Sequence, residues 1–452
     1  MHPLSVSRLP VTPPPPSPSG PLRVGMLGIG VVGSGTYSVL ARNKALIRAR
    51  AGREIRITMV AARNLPRARK IVGPQVEVVG DPLHVVRHPE VDVVVEVIGG
   101  CTVARQLVLE AIRHGKHVVT ANKALLALHG DEIFDAARRR GVMVCFEGAV
   151  AVSIPIVKAL REGLTANRIE WIAGILNGTS NFILSRMNES GASFDEALRE
   201  AQRLGYAEAD PSLDVNGGDA GHKLALLASM AFGMPLQFDA MHIEGIASIQ
   251  LADMQCAEQL GYRVKLLGTA RRNDAGIELR VRPALIPQDS LMAGVNGSMN
   301  AVMVKGDAAG VTMHYGAGAG SEQTASAVIA DLVDVIRNAD ADPSGFVPAL
   351  AFHQEAMTAL PVLPQEACMG RYYLRIPVRA GDQAVSDVLA VLAGNGIAVD
   401  RHLDISGEER GRELLMVTHP SSGAAMMQAL FALKAQPGVR GEVVKLAVEE
   451  IR

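Results

Sequence analysis

Three glycines spaced G-x-G-x-x-G, at Gly28, Gly30 and Gly33, constrain this chain more than any other feature. They follow the apolar run Val24 to Leu27 and precede a helical pattern that continues through Ile47. In that setting the first glycine permits a tight turn, the second lets the backbone approach a phosphate, and the third allows close packing of helix on strand. The amides over Gly28, Ile29, Gly30, Val31, Val32 and Gly33 would then face a pyrophosphate at a helix N-terminus. A glycine-rich turn with no ligand is the competing reading. The downstream chain decides against it: apolar runs at Ile55 to Ala61, Val91 to Val97, Lys116 to Thr120 and Val142 to Phe146 alternate with helical patterns. That rhythm belongs to βαβ units and a parallel sheet.

The end of the second strand separates two cofactors, because an acid there would accept from the ribose hydroxyls and repel a 2′-phosphate. The chain reads Ala61-Ala62-Arg63. With no carboxylate present and a guanidinium able to fork onto a phosphate, NADP is expected at Arg63, with NAD still possible. A solvated arginine at a strand end is the plain alternative.

The 452 residues are enough for two or three domains. The expected class is α/β. A disordered proline-rich tail over 1–21 precedes a Rossmann domain over 22–150 and an α+β substrate domain over 151–350, with strand candidates at Arg168 to Ile175 and Glu278 to Pro283. A linker over 351–369 holds Pro361 to Pro364, and a small ββα-type unit over 370–452 is expected to form a separate domain. In that unit Tyr372 to Val378, Leu414 to Thr418 and Val443 to Val448 read as strands, and Val385 to Ala393 and Ala424 to Leu433 as helices.

Composition removes several classes of function. With 45 Lys+Arg against 46 Asp+Glu there is no broad basic surface for nucleic acid. Even the apolar segment Val91 to Ile98 carries Asp92 and Glu96, so no membrane span is expected, and the tail lacks the apolar core of a signal peptide. Cys101, Cys145, Cys256 and Cys368 are far apart and form no CxxC pair, which suits reduced thiols in a cytoplasmic protein.

The chemistry concentrates in two places. Asn122-Lys123 follows an apolar run at the C-terminal end of a parallel strand, where open α/β sheets bind ligands. The stretch Gly205 to Lys223 carries Glu208, Asp210, Asp214 and Asp219 ahead of Lys223, then enters Leu224 to Phe232, which is apolar on nearly every side. Such a helix is buried. Asp219 and Lys223 stand four apart and share a helix face, so charges there must be paired or used. A structural ion pair explains those two residues but gives Glu208, Asp210 and Asp214 no task, which favours a catalytic or amine-binding role. His222 points about 100° away and reads as packing.

Three motifs resemble homoserine dehydrogenases: Gly-Lys-His-Val-Val-Thr-Ala-Asn-Lys at 115–123, Gly-Ile-Leu-Asn-Gly-Thr-Ser-Asn at 174–181, and Gly205 to Lys223. The likeness spans roughly residues 22 to 350. It implies reduction of L-aspartate 4-semialdehyde to L-homoserine by hydride transfer, within threonine, methionine and isoleucine biosynthesis. By the same resemblance Lys223 gives the proton, Glu208, Asp214 and Asp219 line the substrate site, and Lys123 reaches both ligands. Gly205 and Gly320 match cofactor contacts, and the second domain would also make a homodimer or homotetramer interface. A catalytically impaired NADPH sensor and an assembly protein on the same scaffold are the rival readings, against which the retained Lys223, Asp219, Glu208 and Lys123 argue.

Two places depart from the family. Its Gly-Gly-Ile-Pro loop, whose carbonyls hold a sodium ion, reads Val152-Ser153-Ile154-Pro155 here. Carbonyls of Glu147, Val150, Val152 and Ile154 match the sodium ligands, but a positive φ at Val152 or Ser153 would be costly. At 321–323, Ser-Glu-Gln stands where the family more often has proline before Thr-Ala-Ser, which is expected to loosen the loop over the nicotinamide. The C-terminal unit resembles the ACT-type regulatory domain, with threonine as its effector. Its ligand turn is altered to Gly381-Asp-Gln-Ala-Val-Ser-Asp387, while Gly394-Asn-Gly396 is kept.

Overall fold

The computed structural model describes residues 20–338, 341–379, 382–407 and 411–451. Most of the proline-rich tail and Gly381 of the altered turn lie outside those residues.

The alternating runs form a six-stranded sheet of β1 (Leu22–Leu27), β2 (Ile55–Ala61), β3 (Glu77–Val79), β4 (Val93–Glu96), β5 (His117–Thr120) and β6 (Val144–Cys145). Its order is β3-β2-β1-β4-β5-β6, and every pair is parallel. This is the doubly wound dinucleotide-binding order, whose crevice opens where the order reverses, between β1 and β4. β4 is wholly buried, as its Val-Val-Val-Glu run demands of a strand covered on both faces.

The second sheet holds β7 (Ile169–Ile175), β8 (His242–Ile243), β9 (Tyr262–Asn273), β10 (Gly276–Pro287), β11 (Met299–Gly306) and β12 (Gly310–Ala317). It runs on through the C-terminal strands β13 (Met369–Val378), β14 (Val399–Gly407), β15 (Gly411–Thr418), β16 (Ser421–Ser422) and β17 (Val444–Val448). The main order is β12-β11-β7-β9-β10-β17-β13-β15-β14. Among the described residues no helix is long and apolar enough to cross a membrane.

Two findings revise the expected domain plan. The helix Ser321–Asn338, placed by its position in the second domain, packs on the nucleotide sheet. Its Ala325, Val328, Ile329, Leu332, Val335 and Ile336 share one core with Val24, Met26, Val60, Val93 and Val119. The chain therefore returns to complete the first domain. The second revision concerns residues 370–451. Adding β14 to the expected strands gives a β-α-β-β-α-β unit with strand order β17-β13-β15-β14, the ferredoxin-like arrangement in place of a simple ββα unit. This unit is not set apart. β17 pairs with β10 at Ala284↔Ala447 and Leu285↔Val448, and the expected linker pairs at Ile277↔Val362.

Buried charge fastens the same junction. Arg375 on β13 donates to Asp253 and Glu413 at 2.7 Å each, and Glu449 accepts from Arg271 at 2.7 Å and Arg282 at 2.9 Å. Asp253 belongs to the helix Leu251–Gln259 and is 0% exposed, so it depends on that guanidinium. Arg375→Ala is expected to lower unfolding stability by about 3–5 kcal/mol, because it strands two buried carboxylates. Denaturant titration followed by Trp171 fluorescence checks this, and a loss near zero would show that the junction does not rest on the ion pair.

Candidate active site

The glycine fingerprint divides its labour as its spacing demands. Gly28 has φ +99°, a conformation that side chains rarely adopt. A Cβ on Gly33 would stand 2.3 Å from the Gly28 carbonyl oxygen, so that position secures the helix Val31–Arg42 against β1. A Cβ on Gly30 would meet nothing within 4 Å. The space over Gly30 at the helix N-terminus is thus where a phosphate can come close. Ile29 is buried, whereas Val31 is 70% exposed, and Val32 lies in the first turn beside them. Arg63 is exposed just beyond the end of β2.

The far wall of the crevice is built from β4 and β5. Glu96, wholly buried at the end of β4, accepts from the amides of Ile98 and Gly99 and from the Thr120 hydroxyl. Asn122 caps the helix Lys123–Arg140 and donates to the Gly100 carbonyl at 2.7 Å. The loops after β4 and β5 are thereby tied together. In the sequence Glu96 serves only as an argument against a membrane span, although one acid in a Val-Val-Val-Glu run is itself a signal of buried use.

Lys123, the first residue of its helix, reaches Asp219 Oδ1 at 3.0 Å. Lys223 reaches Asp219 Oδ2 at 2.7 Å and the Leu176 carbonyl at 2.7 Å. The helix Gly218–Phe232 is buried at every position from Asp219 onward, and Gly217, with φ +84°, lets the chain turn sharply into it. Asp219 sits in its first turn, where the helix dipole favours a negative charge. Asn177 joins the cluster, its side-chain amide donating to Asp214 at 2.7 Å and to Asp219 at 2.8 Å while its Oδ1 caps the helix Gly178–Ser190. Asn177 lies inside the motif at 174–181, but its role exists only once β7 and the helix at 218 meet.

Electrostatics follow from this packing. Burial works against the Asp219 carboxylate, but Lys223 and Lys123 together hold its pKa well below the usual value. Asp219 in turn raises the pKa of Lys123, with burial opposing. Burial pushes Lys223 below the ordinary lysine value, and Asp219 offsets part of that. Asp214 is raised by burial and by the neighbouring Asp219 charge. Glu208 is exposed at the edge, adding its negative potential at Lys123. Asp210 leaves the cluster: it accepts from the amide and hydroxyl of Ser212 and shapes the turn. His222 stacks against Phe238 at 4.5 Å, as packing requires.

Gly205, with φ +78°, and Gly320, with φ +139°, both occupy backbone conformations suited to glycine. The segment at 321–323 is not loosened. Ser321 Oγ donates to the Val31 carbonyl at 2.7 Å, Arg42 forks onto Glu322 at 2.8 and 2.9 Å, and Thr324 closes on the Gly320 carbonyl. In the turn after β6 the left-handed residue is Ala151, with φ +52°, so the β-branched Val152 and its neighbour Ser153 do not carry the expected strain. Ser153 instead bonds the Ala317 carbonyl through its hydroxyl at 2.7 Å, and the Ile154 amide donates to the Ala151 carbonyl. Glu147 accepts from the amides of Val157 and Lys158, and burial pushes its carboxyl up to about 7.

A doubly wound sheet with an open glycine turn, together with a buried carboxylate held between Lys223 and the partly exposed Lys123 beside the end of β5, is the arrangement of a nucleotide-dependent oxidoreductase of a small polar substrate. Comparison with known proteins narrows this. The family model "Homoserine dehydrogenase, NAD binding domain" matches residues 28–147, and "Homoserine dehydrogenase" matches residues 155–333. A homoserine dehydrogenase of Pseudomonas aeruginosa is 53% identical over 419 residues, covering 92% of this chain and 96% of that one. The crystal structure of a Thiobacillus denitrificans homoserine dehydrogenase matches with a TM-score of 0.91 and 52% identity, over 95% of this chain and 98% of that one. A hyperthermophilic archaeal homoserine dehydrogenase in complex with NADPH matches with a TM-score of 0.60 and 25% identity, over 69% and 97%. The chain belongs to the homoserine dehydrogenase family of NAD(P)-dependent oxidoreductases.

Asp219→Asn leaves two ammonium groups around a neutral side chain and is expected to cost about 3–5 kcal/mol of stability near neutral pH. Because the folded carboxylate titrates below its unfolded value, its contribution is complete above about pH 4 and is lost as the pH falls further. Unfolding curves of both proteins taken downward from pH 7 should therefore converge at acid pH, and a constant gap would exclude charge as the cause.

Proposed function

We propose that this chain reduces L-aspartate 4-semialdehyde to L-homoserine, with NADPH preferred over NADH. The observation that carries the reading is the Lys123–Asp219–Lys223 cluster at the mouth of the dinucleotide crevice. NADPH supplies the hydride when bound. Reduction builds negative charge on the aldehyde oxygen, so a cation that can also release a proton lowers the barrier. Lys223 suits that task. Asp219 keeps it protonated, burial makes the proton easier to give, and two of its three N–H groups are held by Asp219 and Leu176. The third is left for the substrate oxygen.

Asp214 and Glu208 receive the substrate α-ammonium, and Lys123 stands between that subsite and the nicotinamide. Arg63 receives the 2′-phosphate, with Gly28 to Gly33 on the pyrophosphate and Gly205 and Gly320 lining the cofactor. The NADPH bound to the archaeal relative agrees with this choice. A sodium ion would sit on the carbonyls of Glu147, Val150, Val152 and Ile154. With the left-handed residue of that turn at Ala151, Val152 and Ser153 keep ordinary backbone conformations, so neither substitution strains the turn. The β-α-β-β-α-β unit supports an ACT-type regulatory fold; threonine as its effector and a homodimeric or homotetrameric assembly complete the reading.

Lys223→Ala is expected to lower kcat by about 100-fold or more, the scale of general acid catalysis. Steady-state kinetics with aspartate semialdehyde and NADPH on the folded variant decide it, and native turnover would remove Lys223 from the chemistry. For cofactor choice, Arg63→Ala should weaken NADPH by about 1–3 kcal/mol and leave NADH nearly unchanged. Equal losses for both, measured by cofactor titration, would mean that Arg63 does not read the phosphate.

A further inference from the structure

The lysine at the centre of this site is aimed by a carbonyl that is itself held from behind. Leu176 directly follows β7, and its oxygen accepts from Lys223 Nζ at 2.7 Å and from Asn300 Nδ2 at 2.9 Å. A carbonyl oxygen has two lone pairs, so both donors can be satisfied at once. The peptide that bears this oxygen leads into Asn177, the bridge between Asp214 and Asp219. Fixing that one peptide plane therefore fixes both the lysine and the carboxylates around it.

Asn300, the second residue of β11, is 0% exposed. The orientation of its amide follows from chemistry, because a carbonyl neighbour can only accept and the nitrogen must face it. The Oδ1 atom is then turned away and has no hydrogen-bond partner among the described residues. It lies against Gly318, where an added Cβ would stand 2.2 Å from it. The amide is thus wedged under the Gly318–Gly320 segment that lines the proposed cofactor site. A buried amide with half its capacity unused is a net burden, and an apolar side chain of the same size would pack there without it. The donor half must therefore serve a purpose that a leucine could not.

We propose that Asn300 is a positioning residue: by donating to the Leu176 carbonyl it fixes the acceptor that aims Lys223, and with it the direction of the one N–H left for the substrate. This rests on the reading of Lys223 as proton donor. The charged groups facing Lys223 are Asp219 on its own helix, Lys123 at the start of the helix packed against it, and Asp214 on the neighbouring turn. None of them is hydrogen-bonded to Asn300, so a change at Asn300 reaches the lysine through Leu176.

The test compares Asn300→Leu, which removes donor and orphan acceptor together, with Gly318→Ala, which keeps the donor but displaces it. Both should lower kcat by about 10-fold, and in Asn300→Leu, which leaves the Gly318–Gly320 segment unaltered, the KM for NADPH should change by less than about twofold. An ammonium whose acceptor is no longer held in line with it holds its proton less well, so the basic limb of the pH profile of kcat should move to lower pH in both. The unfolding midpoint of Asn300→Leu should stay level or rise. In a Lys223→Ala background Asn300→Leu should cost nothing further. Native kcat in Asn300→Leu, a basic limb that stays or moves upward, or an undiminished loss in the Lys223→Ala background would each overturn the proposal. Native turnover by Lys223→Ala alone would instead remove the proton-donor reading, and the proposal would fall with it. Should Asn300→Leu fail to fold, Gly318→Ala decides by the same kcat and pH readouts.

Discussion

A carboxylate held between two lysines inside the protein sets the terms for everything around it. Charges taken out of water repay their desolvation only when the geometry is good and the remaining hydrogen-bonding capacity is filled. Asp219 meets that demand with three donors, from Lys123, Lys223 and Asn177. Those donors come from three separate elements: the helix after β5, the helix at 218–232 and the end of β7. The cluster is therefore an assembly condition as well as the proposed reactive centre, because the nucleotide sheet and the second region must be in register for Lys123 to arrive. A lysine paired in this way stays charged while partly desolvated, which is the state a proton donor to a developing alkoxide requires.

The chain secures that register by crossing back. After the second sheet is laid down, the helix Ser321–Asn338 returns to the first, with Ser321 bonding Val31 and Arg42 forking onto Glu322. Farther along it, Asp331 accepts from the Glu147 amide at 2.9 Å, just after β6. One helix thus touches both the phosphate turn and the turn that leads out of the nucleotide domain. Gly35 shows how close the approach is, since a Cβ there would stand 2.3 Å from the Ser321 hydroxyl. The segment at 320–324 is held by these contacts, and the lack of a proline at 321–323 is made good by hydrogen bonds.

What the sequence discloses, and what it withholds, divides along a physical line. Local patterns are legible. The G-x-G-x-x-G turn, the apolar parallel strands and the i, i+4 pair of Asp219 and Lys223 all express constraints that act within a few residues. The contact of Lys123 with Asp219 spans almost a hundred positions, and only the family resemblance brings both into one site. Asn177, Asn300 and Glu96 escape a reading of the sequence because a buried polar residue has no signature until its partners are known. The strand Val399–Gly407 escapes it because Asp400, His402 and Asp404 dilute the apolar alternation, as an edge strand with solvent beside it allows. The strain expected at Val152 and Ser153 falls instead on Ala151, one residue earlier, since a loop of fixed ends can move its left-handed residue to the smallest neighbour.

The C-terminal unit shows how a module can be recognisable in sequence yet inseparable in structure. Its strand order is self-contained, but its outermost strand β17 is hydrogen-bonded to β10, and Arg375 is shared with Asp253 of the helix Leu251–Gln259. That helix packs on Gly178–Ser190, whose N-cap is Asn177. A chain ending before β13 would take Arg375 from Asp253 and Glu449 from Arg282 and uncover the edge of β10, so deletion would remove paired charges from the substrate region as well as the unit itself. An effector bound to this unit needs no new wiring to bias the site. It has only to bind more tightly to one arrangement of the Arg375 junction than to another, because the helix that carries Asp253 packs on the helix that Asn177 caps.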